Sequence, residues 1–77
     1  MNNIDPCILF GQKLKSLREE IKISQEKLSE LADLDRTYIS SVERGKRNIS
    51  IRNIFKLAIA LNIPPYQLLD FTTILKD

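Results

Sequence analysis

An all-α fold of five helices is what this chain predicts, on three observations. No stretch alternates apolar and polar residues between hairpin dipeptides, glycines number only two, and apolar residues recur at helical spacings of three and four. With 77 residues there is room for one hydrophobic core, so residues 1–77 are expected to form a single domain with its core at about 6–71. Hydrophobic residues at 43% and charged residues at 29% describe an ordinary globular chain, neither disordered by composition nor membranous.

The first helix is expected from Pro6 to Glu20. Asp5 precedes a proline suited to a first helical position, and Leu9, Phe10, Leu14, Leu17 and Ile21 form one stripe. Ser24 is a good N-cap for a short second helix, whose Leu28, Leu31 and Ala32 face inward. Asp33 tolerates the left-handed turn conformation, Leu34 plugs inward, and the Asp35 carboxylate is placed to cap a third helix from Arg36 to Arg44. Gly45 supplies the left-handed position that closes it, and Lys46, Arg47 and Asn48 make an exposed basic loop. Ser50 caps a fourth helix with Ile51, Ile54, Phe55, Ala58 and Leu61 on its apolar face. Asn62 and the Pro64-Pro65 pair end it, and the second proline can start a fifth helix through Tyr66, Leu68 and Leu69.

The third helix divides sharply. Leu34, Tyr38, Ile39 and Val42 point to one side, while Arg36, Thr37, Ser40, Ser41 and Arg44 point to the other. The connection Asp33-Leu34 is too short to reverse the chain, so the second and third helices must cross steeply, with Ser29 small at the crossing and Ile39 and Val42 beneath it. The polar side of the third helix then stands proud of the body.

Charge agrees with that geometry. The net charge is only +2, but Arg36 to Lys56 carries +5 and the remainder −3, which is the electrostatic footprint of a polyanion site. An α-helix fits the major groove of B-form DNA, where Arg donates two hydrogen bonds to guanine and Thr or Ser meets base edges. The basic loop, Gln25, and the free amides opening the second and fourth helices suit phosphates, which position without reading sequence.

Other chemistries lack their parts. Zero histidines and a single cysteine, Cys7, exclude the usual zinc sets, any serine or cysteine nucleophile with a histidine base, and an internal disulfide. No glycine-rich phosphate loop exists, and Glu19 and Glu20, being adjacent, diverge too far to work as an acid/base pair. No catalytic residue, metal or cofactor is therefore expected. The longest apolar run, Leu57 to Leu61, falls far short of the ~20 residues that cross a bilayer, and the polar start resembles no export signal, so no membrane partner and a cytoplasmic location are expected.

The run "QEKLSELADLDRTYISSVERG", Gln25 to Gly45, resembles the helix-turn-helix of the phage repressor and Cro (XRE) family of regulators, and the likeness extends over roughly Phe10 to Leu69. More narrowly, "LDRTYISSVERGKRNISI" is similar to the controller proteins of restriction-modification systems. The resemblance implies a lambda-repressor-like fold with Arg36, Thr37 and Ser41 at base edges and Ser40 near them. It further implies Tyr38, Lys46, Arg47 and Asn48 on the DNA backbone, Arg47 within reach of a minor groove, and an internal ion pair between Arg18 and Glu43; Gln25 and Arg44 are expected on the backbone as well. Ser29 stands where the family commonly has alanine and Asp33 where it commonly has glycine.

The expected function is sequence-specific binding of double-stranded DNA by a homodimer, since one recognition helix reads too few base pairs alone. Candidate dimer residues are Ile59, Leu68, Phe71, Ile74 and Leu75. No residue is assigned to an RNA polymerase contact. The alternative is an antitoxin or other protein-interaction module, against which stands the short stretch, about eight residues, after the last expected helix.

Overall fold

The computed structural model describes residues 4–75, which form four principal α-helices, α1 (Pro6–Glu20), α2 (Gln25–Ala32), α3 (Arg36–Glu43) and α4 (Ile51–Leu61), then a 3-10 helix (Pro65–Leu69) and a last short helix, α5 (Thr72–Leu75). No strand occurs among the described residues. The ends follow local chemistry. Asp5 Oδ1 accepts from the Cys7 amide at 2.9 Å, Ser24 Oγ from Lys27 N at 2.9 Å, and Ser50 Oγ from Asn53 N at 3.1 Å, each satisfying an amide that the helix itself leaves free. Asp33 and Asn62 close α2 and α4 in the left-handed conformation, with φ of 55° and 59°.

One core joins all the principal helices. Phe10, Leu14 and Leu17 of α1, Leu28 and Ala32 of α2, Ile39 and Val42 of α3, and Leu57, Ala58 and Leu61 of α4 are buried together, and Leu68 of the 3-10 helix fills the far end. Gly11 lets α1 lie against the end of α3, because a β-carbon there would sit 2.6 Å from the Glu43 carbonyl oxygen.

Several inward assignments need correction. Ile21 is exposed, because it caps α1 and the chain then turns through left-handed Lys22; Ile23 packs against the core instead. Leu31 is exposed as well, about 110° round α2 from the middle of the arc set by Leu28, Ser29 and Ala32. The Asp35 carboxylate makes no cap bond, remaining in solvent where hydration competes with a cap worth only about 1 kcal/mol. The fifth segment, Pro65–Leu69, forms 3-10 rather than α-helix, and the chain continues into α5 beyond it. Leu68 belongs to the core and is unavailable to a partner.

The largest correction concerns α4. Its core face is Leu57, Ala58 and Leu61 with Ile54 half-buried, whereas Ile51, Phe55 and Ile59 are 73%, 51% and 77% exposed. These three lie four residues apart and form a second apolar stripe, about 110° from the first. The expected face had mixed residues from both.

Candidate nucleic-acid interface

The seat of α3 is set by an ion pair beneath it. Arg18 on α1 donates from Nε to Glu43 Oε2 at 2.7 Å and from Nη2 to Glu43 Oε1 at 3.0 Å, with the two side chains 10% and 3% exposed. Arg18 Nη1 donates to the Ile23 carbonyl at 2.8 Å, so one guanidinium ties α1, the turn after it and the end of α3 together. Its bond to the Glu43 carboxylate holds the Arg18 pKa above the ordinary arginine value. No buried side-chain nitrogen or oxygen among the described residues lacks a partner.

At the crossing, Ser29 is buried and its hydroxyl donates to the Glu26 carbonyl at 2.6 Å, within its own helix. The hydroxyl therefore asks nothing of α3, and Ile39 and Val42 seal against the core beneath the crossing. The result is that Arg36 and Thr37 are exposed on the opposite side of α3, with Ser40 and Ser41 half-buried beside them. Arg44 Nη1 donates to Ser40 Oγ, which leaves the Ser40 hydroxyl hydrogen free.

Gly45, at φ 75°, turns the chain out of α3 close over Ile8, and Lys46, Arg47 and Asn48 follow as exposed residues. The Arg47 guanidinium lies 5.1 Å from the centre of the Tyr38 ring, at cation–π distance. Tyr38 itself is half-buried against the core, and its Oη accepts from Asn53 Nδ2 at 2.9 Å, so its own O–H remains able to donate. Gln25 is half-buried and donates from Nε2 to Glu43 Oε1 at 2.9 Å. Asn48 Oδ1 accepts from the Cys7 thiol at 3.0 Å, and burial together with the Asp5 carboxylate pushes that thiol's pKa up.

Arg36, Thr37, Ser40, Ser41, Tyr38, Arg44, Lys46, Arg47 and Asn48 thus gather on and just after α3, whereas Gln25 enters from the start of α2. The Asn53 support for Tyr38 and the Cys7 support for Asn48 were missed in the sequence. The only signal for Asn53 was its position three residues after the Ser50 cap, and Cys7 gave none. Among the described residues no cluster of His, Cys, Asp or Glu could hold a metal ion, and no helix is long and apolar enough to cross a membrane.

A helix-turn-helix family model matches residues 14–68 of the chain. Control protein C.BamHI of Bacillus amyloliquefaciens is 54% identical over 74 residues, spanning 95% of this chain and 89% of that protein. Control protein C.MunI of Mycoplasma sp is 52% identical over 64 residues, spanning 82% and 84%. The crystal structure of the restriction-modification controller protein C.AhdI from Aeromonas hydrophila is 52% identical and superposes with a TM-score of 0.79, covering 80% of this chain and 94% of that one.

Proposed function

The chain belongs to the helix-turn-helix family as a DNA-binding transcriptional regulator close to the restriction-modification control proteins, and from that premise we propose that it acts as a homodimer on a two-fold symmetric DNA site. The observation that carries the proposal is the exposure of Arg36 and Thr37 on a helix whose opposite side, Ile39 and Val42, is sealed into the core. Arg36 and Thr37 enter the major groove and read base edges, with Ser41 and the free Ser40 hydrogen beside them. Lys46, Arg47, Arg44, Asn48, Gln25 and the Tyr38 hydroxyl hold the phosphates and set the register.

The dimer surface is the apolar stripe of α4, Ile51, Phe55 and Ile59, with exposed Tyr66 and Leu69 adding area beyond it. Of the residues first considered for this surface, Ile59 and Leu75 are exposed, and Phe71 and Ile74 are half-buried. Two-fold symmetry places two α3 helices about 34 Å apart on one side of the duplex. The protein works by binding alone, in the cytoplasm where its DNA lies.

Selection of bound sites from a random DNA pool tests this directly. A symmetric consensus with half-sites one helical turn apart is expected. With about 4 phosphates neutralised per protomer, affinity should fall with log salt at a slope near −7 for the dimer. A pool that stays random after selection, or a complex indifferent to salt, would defeat the proposal.

A further inference from the structure

We infer that the buried Arg18–Glu43 pair is a positioning device for DNA binding as well as a brace, aiming the Gln25 amide at a phosphate. The inference rests on the reading above that Gln25 holds the DNA backbone. Glu43 Oε1 receives two donors, Arg18 Nη2 at 3.0 Å and Gln25 Nε2 at 2.9 Å. A carboxylate clasped by a guanidinium has only acceptors to offer, so the nitrogen end of the Gln25 amide must face it and the carbonyl end must face away. That removes the two-fold ambiguity of a glutamine amide. One Nε2 hydrogen is committed to Glu43, and the other, about 120° away in the amide plane, remains for a second acceptor.

Phosphate oxygens are acceptors as well, so a single Nε2 can serve Glu43 and a phosphate together. Gln25 opens α2, where Lys27 N is taken by Ser24 Oγ at 2.9 Å and Leu28 N by the Ser24 carbonyl at 3.0 Å. The amides of Gln25 and Glu26 precede those bonded positions and are the ones a phosphate meets at a helix start. Arg18 and Glu43 never touch DNA in this scheme. They pre-order a long side chain that would otherwise lose its freedom on binding, an effect of about two- to tenfold in affinity per protomer.

The test is a double-mutant cycle on operator affinity, read with its salt dependence. Gln25→Ala is made in the wild-type protein and in the double variant R18M/E43L, which exchanges a buried ion pair for apolar groups and so keeps the fold. In the wild-type background Gln25→Ala should weaken binding about two- to tenfold per protomer and leave the salt slope unchanged, because a neutral amide releases no counterion. In R18M/E43L the same substitution should change affinity less than about twofold. An equal loss in both backgrounds overturns the positioning role while leaving Gln25 on the backbone. No loss in either background removes Gln25 from the DNA contacts, and the inference with it.

Wild-type protein supplies a second measurement needing no variant. The two Nε2 hydrogens of Gln25 are distinct by NMR, and the one bonded to Glu43 should exchange slowly both free and on DNA, with the other becoming protected only on DNA. Loss of protection at the first when DNA binds would mean that Gln25 releases Glu43 to reach the phosphate, and the positioning role falls.

Discussion

Helices α3 and α4 are built from opposite kinds of sequence. Around α3 there is one narrow apolar arc, Ile39 and Val42 with half-buried Tyr38, and the rest is hydroxyl or charge. Around α4 apolar residues cover two arcs, and only one of them, Leu57, Ala58 and Leu61, meets the core. A helix with one apolar arc has one way to sit; a helix with two has a choice that its own residues do not make. The single-arc helix carries the surface proposed for DNA, and the two-arc helix the one proposed for a second copy.

The steepest test of this contrast is beneath α3. Arg18→Ala strands the Glu43 carboxylate in the core and should cost about 3–5 kcal/mol in urea unfolding, while R18M/E43L should unfold within about 1 kcal/mol of wild type. If Arg18→Ala proved mild, the seat of α3 would rest on apolar packing alone.

Next come the two arcs of α4. Leu57→Ala should destabilise the monomer by about 2–5 kcal/mol. Ile59→Ala should stay within about 0.5 kcal/mol, because the side chain has little to lose. Ile59→Glu should leave monomer stability in that same range and still separate the protomers in sedimentation equilibrium. A dimer that survives Ile59→Glu would move the partner surface elsewhere.

On α3 the expected effects are smaller and differ in kind. Arg36→Ala should weaken preferred sites by about 1–3 kcal/mol and relax the preference at one base pair, whereas Lys46→Ala should weaken all sequences alike and lower the salt slope by about 1. Equal loss on random and preferred DNA for Arg36→Ala would remove it from the base-reading set. The least effect belongs to Asp70, whose Oδ1 accepts from the Thr72 hydroxyl at 2.8 Å and the Thr72 amide at 3.1 Å. Those bonds hold its carboxyl below the usual range, so their stabilisation is full above the ordinary aspartate pKa and fades as pH falls through the lowered one. Asp70→Asn should flatten that small acid dependence of the melting temperature without touching operator affinity.

Legibility followed the same contrast. The caps at Ser24 and Ser50, the left-handed turns at Asp33 and Gly45 and the buried side of α3 are stated by residues within a few positions of one another. Leu31 misled because leucine signals burial wherever it occurs, although its angular position around α2 lies outside the core arc, and Phe55 misled because it lies on one of two apolar arcs between which α4 alone does not choose. Gly11 was passed over because nothing near it in the chain announces α3, and the partners of Tyr38 and Asn48 lie 15 and 41 residues away.

Local order in the chain determined where helices begin and end, which side of α3 is wet, and where positive charge collects, because caps, turns and helical periodicity act over four residues or fewer. Tertiary structure decided which arc of α4 entered the core, that Leu68 belongs inside, and that Gln25 shares Glu43 with Arg18. Those outcomes depend on volume and hydrogen-bond partners supplied from distant segments, and a burial contest between two apolar arcs is settled only when the opposing helices are in place.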